Sequence, residues 1–160
     1  MLHISFLCIG RMRENYLRQA AADYQQRLGR LCRFDCVELS EYRLPDAPSP
    51  AQIAAALEQE ADAILRKIPK GAYVIPLCIE GQALSSLQLA ACFTRVAVHQ
   101  SGGICLIIGS SYGLSERVKQ RGNLRLSLSA MTFPHQLARV MALEQVYRAL
   151  KIAAGQTYHK

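Results

Sequence analysis

Residues Leu106–Lys160 read LIIGSSYGLSERVKQRGNLRLSLSAMTFPHQLARVMALEQVYRALKIAAGQTYHK. The order of features in this stretch decides the fold. The apolar run Ile104–Ile108 fits a strand buried on both faces. It runs into Gly109-Ser110-Ser111-Tyr112-Gly113, a turn bracketed by glycines. Ser115 can cap a short helix, and Leu124–Ser129 reads as a brief strand. Thr132 can cap a long helix that starts at Pro134 and runs to about Ala154, where Gly155 can stop it. Strand, turn, helix, strand, helix is the grammar of an α/β domain with a largely parallel sheet.

The upstream chain follows the same alternation. Leu2–Ile9 reads as the first strand and Phe34–Leu39 as the second. Between them Tyr16, Leu17, Ala20, Ala21, Tyr24 and Leu28 fall on one face at helical spacing, with Gly29 as the stop. Pro45, Pro48 and Pro50 make Leu44–Pro50 a loop. Ser49-Pro50-Ala51-Gln52 opens a helix with a capping box; Ile53, Leu57, Ala61, Ile64 and Leu65 supply its apolar face, and Pro69-Lys70-Gly71 ends it. Tyr73–Ile79 is a buried strand perturbed at Pro76, which has no N–H to give. Ser85-Ser86-Leu87-Gln88 repeats the capping signature and opens a helix to about Gln100, and Gly102-Gly103 turns the chain.

Composition bounds the rest. At 160 residues, 51% hydrophobic and 19% charged, the chain reads as one globular domain spanning residues 1–160. No apolar run reaches the roughly 20 residues of a membrane span, and Met1–Cys8 carries neither a basic lead nor a cleavage pattern, so a cytoplasmic location is expected. The six cysteines include no C-x-x-C pair, which argues for reduced buried thiols and against zinc. The formal charge is +7. Residues 114–160 carry eight Lys/Arg against two Glu, net +6, and the first 113 carry eleven against ten, net +1. A basic C-terminal third that also holds the candidate site points to a polyanionic substrate.

Several motifs carry chemistry. Gly109–Gly113 fits G-x-S-x-G, which would make Ser111 the nucleophile of a serine hydrolase. Only Glu116, Glu144, His135 and His159 follow it as possible partners, so the more economical reading is a ligand-binding turn at the carboxyl end of a central strand. Neither a phosphate loop nor a dinucleotide fingerprint is present. Ser127–His135 alternates small polar and apolar residues before a helix, and so offers backbone groups and an apolar wall that suit an adenine ring. His135/Arg139 and Glu144/Arg148 share helix faces at four-residue spacing. Leu137, Val140, Met141, Leu143, Val146 and Leu150 make that helix apolar on more than one face, which suggests a dimer interface. Tyr158-His159-Lys160 can stack on a base and hold a phosphate.

Taken together these residues resemble the ribosomal RNA large subunit methyltransferase H family of the SPOUT class. The matching runs are Ile107–Leu114, Leu126–Gln136, Arg139-Val140, Glu144–Ala149 and Tyr158–Lys160, and the resemblance extends over the whole chain. It implies a Rossmann-like α/β fold with a C-terminal trefoil knot, S-adenosyl-L-methionine as cofactor, and a homodimer with its active site near the interface. It also implies methylation of N3 of a pseudouridine in 23S ribosomal RNA of assembled ribosomes. Carried onto this chain, the cofactor contacts are Leu77, Gly109, Leu128, Ser129, Ala130, Met131, Thr132 and Phe133, and substrate handling falls to Arg139, Tyr158 and His159. The base is open between His159, a neutral His135, a phosphate and water; Arg139 or Arg148 could stabilise the imide anion. No metal is implied. The chain departs from the family pattern at Pro76, Ser110 and Thr157. A non-catalytic RNA-binding module and the Ser111 hydrolase are the alternatives.

Overall fold

The computed structural model describes residues 1–99 and 102–158. The described elements are β1 (His3–Ile9), α1 (Asn15–Leu28), β2 (Arg33–Leu39), α2 (Pro50–Lys67), β3 (Tyr73–Ala83), α3 (Ser86–His99), β4 (Ile104–Ile108), α4 (Glu116–Arg121), β5 (Leu126–Ser127) and α5 (His135–Ala153). The sheet order is β2-β1-β4-β3-β5, and each neighbouring pair is parallel.

β4 is the hub of this sheet. It pairs with β1 from Ile4↔Ile104 to Cys8↔Ile108 and with β3 from Tyr73↔Ile104 to Pro76↔Ile107. All five of its residues are buried, because the alternating pleat sends them into two different layers. Ile104, Leu106 and Ile108 join the core under α1, α3 and α5, whereas Cys105 and Ile107 join the core under α2 and α4. Each such Ile or Leu contributes roughly 1.5–3 kcal/mol on burial, which is why a five-residue strand can organise the domain.

The expected start signals operate, with one exception. Ser49 and Gln52 form the capping box of α2, with Pro50 at its first turn. Ser85 and Gln88 exchange the same reciprocal bonds, at 2.8 and 3.2 Å, at the start of α3. α5 instead begins one residue after Pro134, without a side-chain cap, and Thr132 lies in the preceding loop. Two burial expectations also change. Tyr16 is 67% exposed, and the face that α2 buries is Ala56, Glu60, Ala61 and Ile64. α5 packs on both α1 and α3; Leu143 and Val146 are buried there, Val140, Met141 and Leu150 are half-buried and Leu137 is exposed.

Pro76 is accommodated by topology. β5 pairs with β3 only from Leu77 onward. Alongside the preceding residues lies the loop after α4, where Asn123 takes both backbone groups of Val74 through its own N–H and Oδ1. The Pro76 ring packs on Gly122, where a Cβ would lie 2.5 Å from it. Beyond Pro76 the register with β5 shifts between Leu77 and Gln82, which carries Ile79 and Glu80 out of the regular ladder.

Gly103 and Gly155 both adopt positive φ, +74° and +69°, but only Gly103 is crowded: a Cβ there would meet the His3 carbonyl oxygen at 2.2 Å. Gly155→Ala should therefore cost about 1 kcal/mol for the left-handed backbone alone. Gly103→Ala should cost clearly more, because the β1–β4 edge must also shift. Denaturant midpoints of the two variants check this; equal losses would contradict it.

Candidate active site

A cavity of about 750 Å³ opens at the carboxyl ends of β3 and β4, where ligands bind in open parallel sheets. Two loops form most of it. The first, Gly109–Leu114, is a tight turn: the Gly113 N–H donates to the Ser110 carbonyl at 2.9 Å. A Cβ on Gly109 would lie 2.2 Å from the Gly113 carbonyl oxygen, so only glycine fits there. The second loop, Leu128–Pro134, is held by its own serines. Ser127 Oγ donates to the Ser129 carbonyl at 3.0 Å, and the Met131 N–H donates to Ser129 Oγ at 3.0 Å.

Of the cofactor contacts expected from the sequence, Leu77, Gly109, Leu128, Ser129, Met131, Thr132 and Phe133 line this cavity; Ala130, in the same loop, does not. The walls also include residues that sequence reasoning did not single out as cofactor contacts. Ile79 and Glu80 arrive through the irregular second half of β3, and Lys119 through α4. Glu80 and Lys119 form an ion pair, and the Lys119 ammonium holds the Glu80 carboxyl below the usual range. No periodicity signals a register shift, so these two were not legible beforehand.

His135 also lines the cavity, and its Nδ1 lies 3.3 Å from Ser111 Oγ. Burial pushes its pKa below the ordinary 6.5; Arg139 and Arg13 push the same way and Glu41 opposes them. This Ser–His contact is the beginning of a hydrolase triad without its acid. Among the described residues no carboxylate is hydrogen-bonded to His135, and the downstream acids Glu116 and Glu144 pair with Arg125 and Arg148.

Of the residues expected to handle substrate, Arg139 and Tyr158 do not line the cavity. Arg139 is 2% exposed. Its Nη1 donates to Glu38 at 2.7 Å and its Nη2 to the Gly10 carbonyl at 2.7 Å, while its buried Nε has no partner. It ties the start of α5 to the ends of β1 and β2 and does not line the cavity. Tyr158 folds back on α5, edge-on to Tyr147 at 5.0 Å and under the Arg148 guanidinium at 4.8 Å. Arg148 in turn donates to Glu144 Oε1 through Nε and Nη2 at 3.0 and 2.7 Å. His159 lies outside the described residues.

The charge asymmetry of the sequence is partly undone in space. Arg117 pairs with Glu58 and Asp62, Lys119 with Glu80 and Arg139 with Glu38, and all of these acids come from the first 113 residues. The net +7 is unchanged, but the basic third is not a bare cationic surface. Among the described residues no cluster of His, Cys, Asp and Glu could hold a metal ion, and no helix is long and apolar enough to cross a membrane.

A family described as predicted SPOUT methyltransferase matches residues 2–159. The chain belongs to it. Among its relatives is the ribosomal RNA large subunit methyltransferase H of Bifidobacterium animalis subsp. lactis, 43% identical over 159 residues, which are 99% of this chain and 100% of that protein. The protein of the same name from Bacillus pumilus is 41% identical with the same coverage. Solved methyltransferase structures share the fold. A probable methyltransferase from Bordetella pertussis superposes with a TM-score of 0.58 at 14% identity, over 92% of this chain and 93% of that one. A structure described by its part in 2-OH methylation of C/U34 on tRNA superposes with a TM-score of 0.53 at 18% identity, over 97% and 99%. The cavity is the candidate active site of this SPOUT methyltransferase.

The depressed His135 pKa has a consequence for stability. The folded state binds this proton less readily than the unfolded chain, so stability falls as pH drops below about 6.5, the unfolded value. Denaturation curves at pH 7.5 and 5 should show a smaller acid loss for His135→Asn than for the unsubstituted protein. Identical losses would contradict the burial argument.

Proposed function

We propose that this SPOUT methyltransferase uses S-adenosyl-L-methionine to methylate N3 of a pseudouridine in 23S ribosomal RNA of assembled ribosomes. Support for the RNA substrate comes from the full-length relatives, whose name is ribosomal RNA large subunit methyltransferase H. Support for the cofactor comes from the site. The cavity is walled by Leu77, Leu128 and Phe133 and edged by backbone of two tight loops, a mix of apolar surface and a few polar groups typical of small-molecule sites. A cofactor without phosphates needs no phosphate loop. The observation that carries the reading is the convergence of Leu77, Gly109 and the 128–133 loop on one cavity.

In this reading Leu77, Gly109 and Leu128–Phe133 hold the cofactor, which supplies an activated methyl group. What remains for the chain is alignment of donor and acceptor and removal of the acceptor's imide proton. His135, in the cavity wall and held toward its neutral form by burial, is the base that the chain itself brings to that place. Arg139 positions it: four residues on, its two bonds to Glu38 and Gly10 fix the first turn of α5.

We infer a homodimer from the distance along α5. His135 and Arg148 are thirteen residues apart, about 20 Å at the helical rise. A chain whose Tyr158 is folded on the far end of its own α5 leaves the mouth of its own cavity without that side chain. A two-fold partner could supply it, and the exposed Leu137 near the start of α5 is available to such a contact. The C-terminal trefoil knot and a cytoplasmic location belong to the same reading.

Calorimetric titration of S-adenosyl-L-methionine into the purified protein tests the cofactor assignment. We expect micromolar binding, abolished in Gly109→Trp because the indole must displace the Gly113 backbone. Absence of binding by a folded, unsubstituted protein would contradict the assignment and favour a non-catalytic RNA-binding module. Labelling of Ser111 by a fluorophosphonate probe would instead favour the hydrolase.

A further inference from the structure

One buried charge lies behind the cofactor loop and is unused by the mechanism above. Glu60 sits in the middle of α2, between Ala56 and Ile64 on the face turned to the sheet. It is 5% exposed, at a position where helical patterning calls for an apolar residue. No basic side chain pairs with it among the described residues. Its Oε1 accepts a hydrogen bond from Ser110 Oγ at 3.2 Å, and the Tyr42 backbone N–H also favours its ionised form. Burial pushes its carboxyl above the usual range, and Glu41 adds to that. A buried carboxylate without a cation is costly. Where one is kept, its hydrogen bonds are the place to seek its use.

The turn it reaches has little else to hold it. Between buried Ile108 and Leu114 the chain runs Gly109-Ser110-Ser111-Tyr112-Gly113; Ser111 is exposed and Tyr112 is 48% exposed. No apolar side chain of the turn is buried. Its anchors are the internal Gly113-to-Ser110 bond, the Ser111–His135 contact and the Ser110–Glu60 bond. Of these only the last is buried. It crosses from the turn to a helix on the opposite side of the sheet from α5.

We infer that Glu60 is a positioning residue for the cofactor-binding turn. By fixing the Ser110 side chain behind the turn, it keeps the Gly109 and Gly113 backbones in the close approach that shapes the cavity wall. Glu60 touches no substrate and acts through Ser110. The inference rests on the cofactor reading above for its functional consequence, though not for the structural link itself.

Two measurements on Glu60→Ala, Glu60→Gln, Ser110→Ala and the Glu60→Ala/Ser110→Ala pair test it. The first is calorimetric affinity for S-adenosyl-L-methionine. Each alanine substitution should weaken binding about tenfold, the scale of one hydrogen bond to a charged group. The double variant should lose no more than either single one, and Glu60→Gln, which keeps an acceptor oxygen, should recover most of the affinity. Unchanged affinity in both single variants, or losses that simply add, would overturn the inference. So would a lowered melting temperature with affinity intact, since that is what a purely structural role predicts. The second is amide hydrogen exchange of the ligand-free protein. Exchange of the Gly113 amide should quicken in Glu60→Ala and Ser110→Ala, while amides in β1 stay as they were. If the unsubstituted protein binds no cofactor, that reading fails on its own; an unchanged Gly113 amide would separately sink the role given to Glu60.

Discussion

The site depends on a backbone contact. Gly109 and Gly113 approach so closely that no side chain fits between them, and this closes the turn at the end of β4. Everything upstream serves to put β4 in the centre of the sheet with its carboxyl end free. Everything downstream, from Leu114 to Pro134, brings a second loop to the same end. The cavity is the space between two loops that the sheet has brought side by side, and its walls are therefore mostly main chain and apolar side chains. A site of that kind suits a ligand recognised by shape and backbone hydrogen bonds.

The helix α5 divides the labour. Its first turn faces the cavity with His135 and Ala138. Its last turns carry Tyr147, Arg148 and, folded back on them, Tyr158. Arg139 lies next to the first of these regions. It is a large, fully buried side chain whose guanidinium is committed to Glu38 and a backbone carbonyl. Burying a guanidinium is tolerable when its donors are met with good geometry; here Nη1 and Nη2 each make one 2.7 Å bond, one of them to a carboxylate, while Nε is left without a partner. The outcome is a rigid helix start beside the cavity and an aromatic, cationic helix end remote from it.

The sequence made much of this legible. Ile104–Ile108 was readable as a central strand because an uninterrupted apolar run has no polar face to show to water. The capping boxes at Ser49 and Ser85 were readable because they are local. The two loops that line the cavity were marked out by resemblance, since Gly109 and Leu128–Phe133 lie in contiguous runs. What was not legible is long-range. Nothing in the sequence ties Glu60 to Ser110, fifty residues away, until the fold buries one against the other. Glu80 and Lys119 reach the cavity through a register shift that leaves no mark in the pattern. The basic C-terminal third loses much of its bareness because its partners, Glu38, Glu58, Asp62 and Glu80, come from the other part of the chain. The two-sided apolarity of α5 points to a dimer in the sequence; in the structure α1 and α3 pack on the helix, with Leu143 and Val146 buried, Val140, Met141 and Leu150 half-buried and Leu137 exposed. That Arg139 does not line the cavity could not be read from motif membership alone, because spacing along a helix does not say which of its side chains meets the site.

The most direct measurement is transfer of labelled methyl from S-adenosyl-L-methionine to intact ribosomes, with and without pseudouridine at the acceptor position of their 23S RNA. The account predicts label at N3 of that pseudouridine in the first case and none in the second. A protein that binds the cofactor yet leaves pseudouridine-containing ribosomes unlabelled, or that labels both kinds equally, would contradict it.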